Sequence, residues 1–229
     1  DLASKELQKV LRAGLRQTSG LFVNLSRTTA NTASKQFEDA LDRAWLQISS
    51  GAFDSNTAIR MAVKDLSQKG VKSIQYPSGH SDTLEVAVRR ATVTGVNQTA
   101  LRLQDALADE MGCDLVETTA HAGARPQHAV WQGQIFSRSG KSDQYPDFVS
   151  STGYGSGAGL GGWNCRHSFH PYFEGDPKAY SKKMLEGFEA KDYEYNGQKM
   201  TEYEATQQQR YVERQVRRWK RENAAMAAA

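Results

Sequence analysis

Apolar residues recur every three or four positions through the first half of the chain, which is the spacing of one face of an α-helix. A first helix is predicted around Leu7, Val10, Leu11 and Leu15 and ends near Gly20. A polar connector follows at residues 26–34. A second helix begins after Asn31 or Thr32 and stops before Gly51, and its apolar stripe is Phe37, Leu41, Ala44, Trp45 and Ile48.

Two further helices follow in the pattern. Asp54 can cap one that ends at Gly70, with the buried stripe Ile59, Ala62, Val63 and Leu66. A turn at residues 76–80 then leads to a long helix that Ser81 and Asp82 can cap. Its apolar residues fall on one face of the helix before Gly95 and on a different face after it, which predicts a kink or break at Gly95. Arg89 and Arg90 lie on its first half, either ion-paired at the surface or directed toward the centre of the chain.

The pattern changes from helical to alternating in the middle of the chain. Residues 113–118 and 130–136 alternate and are rich in β-formers, so both are predicted strands. A glycine-rich loop at residues 151–162 follows, and it can fold the chain sharply back. The sequence therefore predicts a small irregular β-containing module in this part.

The last part returns to a helical pattern. A short helix is predicted from Pro177 to Glu194, and Asn196-Gly197 favours a tight reversal. Thr201 and Glu204 have the spacing of a capping box at the start of a final helix. The predicted fold class is α+β, with a helical region at 1–112, the His/Cys/Gly-rich module at 113–176 and a helical tail at 177–229.

Composition limits the kinds of protein that this can be. Hydrophobic residues make up 38% of the chain and the mean hydropathy is −0.66, so part of the apolar surface is expected to be buried only against partners. No apolar run is long enough to span a bilayer, so no membrane partner is expected. Two cysteines are too few for a disulfide framework and fit a reducing cytosol. A chain that begins at Asp1 is expected to be part of a longer polypeptide.

Residues 117–171 contain the densest chemistry in the sequence. Imidazole and thiolate side chains suit Zn²⁺, and four such residues could converge here if the loop folds back: His121, His128, Cys165 and His167. Their spacing matches no zinc finger. The competing interpretation is that the histidines donate hydrogen bonds to backbone carbonyls in an irregular fold.

Two enzymatic interpretations also start from these residues. Cys165 could be a nucleophile with His121 or His128 as its base, oriented by Asn164 or Glu117, although the local signatures of cysteine proteases are absent. Alternatively, Arg125, the Ser-Ser-Thr at 150–152 and Glu202-x-Glu204 loosely match the elements of ADP-ribosyltransferases. The glycine loop lacks Gly-Lys-Ser/Thr and is not a P-loop.

The final helix carries the main basic surface of a chain whose net charge is only +3. Residues 207–221 contain one carboxylate, Glu213, and six cations: Arg210, Arg214, Arg217, Arg218, Lys220 and Arg221. Val212, Val216 and Trp219 form a thin apolar stripe beside them. The helix is either a solvated face or a contact for DNA or an acidic protein surface.

An ordered series of motifs resembles a known family. The series is TGVNQ (94–98), HAGARPQHAVWQG (121–133), YPDF (145–148), TGYG (152–155) and GLGGWNCRHSF (159–169). Together these motifs resemble the phage minor capsid protein 2 family over about residues 35–222. They are more distantly similar to Mu F-like head-morphogenesis domains, which also end in Asn-Cys-Arg.

The resemblance implies a structural protein of a phage head, present in few copies and acting near the portal. It further implies head assembly or genome packaging and delivery, with the portal and other head proteins as partners. The protein is then expected in the virion, and in the host cytoplasm during assembly. Mu F-like domains also occur fused to toxins, so the ADP-ribosyltransferase-like enzyme remains the alternative. More of the indications favour a non-enzymatic protein.

Overall fold

A computed structural model describes residues 31–76 and 80–228, and the predicted helix at residues 7–15 lies outside them. The protein is an α+β protein, as predicted. Its first core is helical and contains α1 (Asn31–Ser49) and α2 (Ser55–Gln68), whose bounds agree with the apolar stripes. The Asp54 carboxylate accepts the main-chain N–H groups of Asn56 and Thr57 at the start of α2, which confirms the predicted cap.

A short hairpin precedes the third helix. Strands β1 (Ser73–Gln75) and β2 (Ser81–Thr83) pair antiparallel across the predicted turn. The prediction that Ser81 and Asp82 cap the helix is wrong, because both belong to β2 and Thr83 is the N-cap. Asp82 instead makes an ion pair with Arg90 and lies 3.1 Å from His80 Nε2.

Helix α3 (Leu84–Glu110) is continuous through Gly95, so the predicted break is absent there. Its first half packs in the helical core through Leu84, Ala87 and Val88. Its second half contributes Leu101 to a separate core in the central module. The apolar stripe changes phase because the two halves of the helix face different cores.

The central module is built on a three-stranded antiparallel sheet. Its strands are β3 (Leu115–Thr118), β4 (Ile135–Ser137) and β5 (Phe169–Pro171), in the order β4-β3-β5. The predicted strand at 113–118 is confirmed as β3 over residues 115–118. In the second predicted strand, residues 130–133 are turn and residues 135–136 belong to β4. The sequence analysis did not predict β5, because three residues are too few to show the alternation of apolar and polar positions that marks a strand. Two short helices, α4 (Pro126–Ala129) and α5 (Phe148–Thr152), complete the module.

The last part contains a short helix, a hairpin and a long helix. Helix α6 (Lys182–Phe188) is shorter than predicted. Strands β6 (Tyr193–Tyr195) and β7 (Gln198–Met200) turn at Asn196 and Gly197, whose φ angles are 51° and 76°. Helix α7 (Glu202–Ala228) follows, and Thr201 and Glu204 exchange the two main-chain hydrogen bonds of the predicted capping box. The division of the chain at residues 112 and 176 stays a prediction.

Candidate functional site

His128 lies on the short helix α4, which starts with Pro126 at its first position. Proline suits that position because its missing N–H is not needed there and its φ is already helical. The His128 ring is 2% exposed and packs against Trp131, with ring centroids 4.7 Å apart. One turn of helix therefore places this imidazole in the interior of the module.

Cys165 and His167 reach the same place through the glycine-rich loop. An alanine Cβ at Gly159 would lie 2.0 Å from the Gly153 carbonyl oxygen, and one at Gly162 would lie 2.2 Å from the Gly157 oxygen. These two positions therefore require glycine because the backbone segments touch. The loop returns the chain to the central sheet, where His170 of β5 is the strand partner of Glu117 in β3.

Helix α3 holds the returning segment in place. The Asn97 side-chain amide donates to the carbonyl oxygens of Cys165 and His167, at 3.0 and 3.2 Å. Gln98 donates to the Gly161 oxygen, and the Asn164 N–H donates to the Thr94 hydroxyl. Sequence reasoning assigned no role to these side chains. The sequence signal that could have indicated a role for Thr94, Asn97 and Gln98 was that all three lie in the TGVNQ motif at 94–98.

Three of the four predicted ligands converge. The Cys165 sulfur lies 3.8 Å from His128 Nδ1 and 3.7 Å from His167 Nδ1, and the two Nδ1 atoms are 3.4 Å apart. A tetrahedral zinc ion with bonds of about 2.0–2.3 Å holds its ligand atoms about 3.3–3.8 Å apart. The three atoms are therefore spaced as ligands of one such ion, and the cluster could hold a metal.

The hydrogen bonds at the outer edges of the two rings decide which nitrogens carry protons. His128 Nε2 lies 2.8 Å from the Ala158 carbonyl oxygen, which can only accept, so Nε2 carries the proton. His167 Nε2 lies 3.1 Å from Gln132 Oε1, which also accepts the N–H of His121. Both Nδ1 atoms consequently present lone pairs toward each other and toward the thiol. Lone pairs that face each other repel, and a bound cation would remove the repulsion because it would accept both of them.

Burial keeps the cluster uncharged when no ion is bound. Burial lowers the pKa of His128, and it lowers the pKa of His167 to about 3, with a smaller contribution from the neighbouring His121. Burial raises the pKa of the Cys165 thiol. The imidazoles are ready to bind a metal at neutral pH, whereas the thiol must release its proton on binding.

His121 does not join the converging set, so the predicted four-residue set is reduced to three. Its ring stacks on His167 with centroids 4.3 Å apart, and its Nδ1 lies 2.8 Å from the Ala122 carbonyl oxygen. The proton on Nδ1 leaves a lone pair on Nε2. That nitrogen is buried and has no hydrogen-bond partner among the residues that the structure describes.

A pocket of about 630 Å³ opens beside the cluster, between the module and the first turns of α7. The three converging residues and His121 all contribute to its lining. Four arginines also line it, namely Arg90, Arg125, Arg166 and Arg210, and the only carboxylate among the lining residues is Glu202. The pocket therefore combines a possible metal centre with an excess of positive charge.

The two enzymatic interpretations find limited support in this geometry. Glu117, one of the two groups suggested to orient a catalytic base, is used elsewhere, because it accepts the N–H groups of Ala179 and Tyr180. A buried thiol with a raised pKa is also a poor nucleophile. Of the ADP-ribosyltransferase-like elements, Arg125 and Glu202 line the pocket, whereas Glu204 is engaged in the helix cap and residues 150–152 belong to α5.

The predicted basic surface lies on α7, and its side chains are exposed. From residue 209 to residue 227 every residue is exposed except Glu213 and Gln215, which are half-buried. Arg217 pairs with Glu213, and Arg218 pairs with Glu222. The remaining four cations have no carboxylate partner within the described part of the chain: Arg210, Arg214, Lys220 and Arg221. No helix in the described residues is long and apolar enough to cross a membrane.

Comparisons with known proteins find a matching family and two similar proteins. The sequence profile of the family described as Phage minor capsid protein 2 matches residues 2–229. A structural protein of Lactococcus phage LL-H is 28% identical over 196 residues, which are 83% of this chain and 50% of that protein. A structural protein of Lactococcus phage mv4 is 38% identical over 82 residues, 36% of this chain and 58% of that protein.

The chain spans about half the length of the curated relatives that it matches. No solved structure is significantly similar to it. The profile match covers nearly the whole chain and includes both the glycine-rich loop and α7, so it does not depend on one short motif. The protein belongs to the phage minor capsid protein 2 family.

Proposed function

We propose that the protein is a minor structural component of the phage head that acts near the portal, in head assembly or in genome packaging and delivery. It would reside in the virion, after a period in the host cytoplasm during assembly. The observation that carries this proposal is the exposure of α7. Its first turns contact the β6–β7 hairpin and line the pocket, and the rest of the helix has both an uncovered apolar stripe and an uncovered basic surface.

The apolar stripe supports a protein partner. Val212, Val216 and Trp219 follow one another at helical spacing and are 43%, 38% and 59% exposed. An amphipathic helix of this kind binds in an apolar groove of another protein. The portal and its neighbouring head proteins are the partners proposed for this stripe.

Incorporation into particles tests the protein contact. The variant Val216→Asp/Trp219→Asp should be recovered in purified particles in much smaller amount than the natural chain. Met61→Asp on α2, where Met61 is 44% exposed, is the matched control and should be incorporated normally. Cross-linking followed by mass spectrometry should connect α7 to the portal or its neighbours. Normal incorporation of the α7 variant would contradict the proposed docking.

The cations of α7 support contact with packaged DNA. A helix that neutralises several phosphates binds duplex DNA with an affinity that falls steeply with salt, with a logarithmic slope of about −0.9 for each phosphate contacted. Replacing Arg214, Lys220 and Arg221 by Gln should weaken binding to any duplex sequence and reduce that slope by about 3. The control variant Arg60→Gln/Lys64→Gln, on the exposed side of α2, should leave both quantities unchanged.

We also propose that the ion held by His128, Cys165 and His167 is Zn²⁺. The spacing of the three ligand atoms and the opposed Nδ1 lone pairs support this choice, since imidazole and thiolate together favour zinc. The ion would tie α4 to the end of the glycine-rich loop. Because a metal that binds only the folded state adds its binding free energy to folding, the ion would stabilise the module.

Elemental analysis of the purified protein tests the zinc. The expected content is one zinc per chain, and Cys165→Ser should reduce both this content and the melting temperature. Cys113→Ser is the matched control because Cys113 is also buried but donates to the carbonyl oxygens of Leu115 and Tyr172. Zinc well below one per chain in the natural protein, after purification without chelator, would contradict the proposal.

A further inference from the structure

We propose that the zinc centre has three protein ligands and that its fourth position binds an external anion carrying a phosphate group. This inference rests on the zinc proposed above. It adds that the centre is a ligand-binding site open to the arginine-lined pocket, in contrast to a closed structural site. Structural zinc sites are typically closed by four protein ligands, whereas sites with three keep a position for water or another ligand.

The number of protein ligands follows from the side chains around the cluster. Within the described residues, the group that converges contains His128, Cys165 and His167 and no other histidine, cysteine or carboxylate. His121 is the nearest candidate for a fourth ligand. Its ring stacks on His167 with the two planes 29° apart, and its Nδ1 lies 2.8 Å from the Ala122 carbonyl oxygen, so the ring is positioned beside the centre without entering it.

The charge of the centre and its surroundings favours an anion. A Zn²⁺ ion with one thiolate and two neutral imidazoles keeps a net charge of +1. The lining of the adjoining pocket adds four arginines and one carboxylate. Arg90 is paired with Asp82, whereas the other three, Arg125, Arg166 and Arg210, have no carboxylate partner among the described residues. The Arg125 guanidinium is held in place by the Trp163 carbonyl oxygen at 2.6 Å.

The buried lone pair on His121 supplies a second and independent indication of a ligand. Its Nε2 atom is buried without a hydrogen-bond partner in the described structure, although the residue lines the pocket. An unpaired buried acceptor is costly, and the cost is relieved by a donor. A zinc-bound water or a monoprotonated phosphate carries the hydroxyl that this nitrogen lacks. Binding exchanges the metal-bound water for the anion and involves no redox change.

Cobalt substitution makes the fourth position visible, because the absorption bands of Co²⁺ depend on its ligands. Titration of the cobalt protein with azide, and separately with inorganic phosphate, should change the bands in a saturable way. Arg166→Gln should raise the dissociation constant for phosphate about tenfold, as loss of one charge-assisted hydrogen bond does, with unchanged cobalt content. Arg60→Gln, far along the chain on α2, should not change it.

His121→Ala distinguishes the open site from a closed one. This variant should keep one cobalt per chain and its tetrahedral spectrum, because His121 is not a ligand. Loss of the metal in His121→Ala, or a spectrum that neither anion alters, would overturn the inference while leaving the zinc proposal intact. A natural protein that binds neither zinc nor cobalt would overturn both.

Discussion

The indole N–H of Trp45 donates to the hydroxyl oxygen of Thr99 at 3.3 Å, across 54 residues of sequence. Both side chains are buried, and the Thr99 hydroxyl in turn donates a hydrogen bond to the Gly95 carbonyl oxygen. The bond links α1 to the middle of α3, at the point where α3 leaves the helical core for the central module. It is a buried polar connection between the two halves of the fold.

Thr99→Val should therefore destabilise the protein, because an isosteric change leaves the Trp45 N–H buried and unpaired. The expected loss is about 1–3 kcal/mol of unfolding free energy, measured by urea denaturation with circular dichroism. Thr92→Val is the matched control, since Thr92 lies on the same helix and its buried hydroxyl has no partner among the described residues. That variant should be neutral or slightly stabilising. Equal losses in the two variants would contradict the role given to Thr99.

Gly159→Ala should disrupt the glycine-rich loop. The new Cβ would fall 2.0 Å from the Gly153 carbonyl oxygen, so the backbone must move and the Cys165 segment with it. We expect a loss of metal content together with a lower melting temperature. Gly187→Ala on α6 meets no atom within 4 Å and should be neutral or stabilising by up to about 1 kcal/mol, since alanine favours helix. Full metal content in Gly159→Ala would show that the loop tolerates displacement.

Glu117→Gln should weaken the attachment of the segment that follows β5. The Glu117 carboxylate is 1% exposed and accepts the N–H groups of Ala179 and Tyr180, at 2.9 and 3.3 Å. An amide turns one acceptor into a donor facing a donor, which costs about 1–3 kcal/mol. Hydrogen exchange of residues 177–181 should accelerate in this variant. Glu186→Gln, at an exposed position on α6, should leave the exchange unchanged.

The metal-free protein should lose stability as the pH falls below about 6.5. Burial holds the pKa of His167 at about 3 in the folded state, against about 6.5 in an unfolded chain, so the unfolded state binds more protons between these values. The stabilisation is complete above the unfolded pKa and is lost on acidification. His167 alone should account for about 2 kcal/mol between pH 6.5 and pH 5.

Urea denaturation in the presence of chelator at these two pH values measures the effect. In the variant His128→Gln/His167→Gln the difference between the two pH values should become small. His80→Gln removes a histidine whose side chain is 62% exposed and should retain the dependence. A pH dependence that persists in the double variant would assign the effect to other groups.

Local signals in the sequence were sufficient to predict several helices, caps and turns. The stripes of α1 and α2 predicted those helices, because each is buried on one face along its whole length. The Asp54 cap, the Asn196-Gly197 turn and the Thr201–Glu204 capping box were also predictable, since each depends on residues within a few positions of one another. The family motifs indicated the correct family for the same reason, because they are strings of sequence.

The sequence by itself determined the local helices, turns and caps, the family, and the set of residues from which a metal site could be built. The tertiary structure decided that α3 runs unbroken through Gly95, because only the packed cores show that its two halves face different neighbours. It also decided that His128, Cys165 and His167 converge while His121 stacks beside them. That selection depends on contacts between β3, the loop and α3 that are distant in sequence, and no local spacing encodes such contacts.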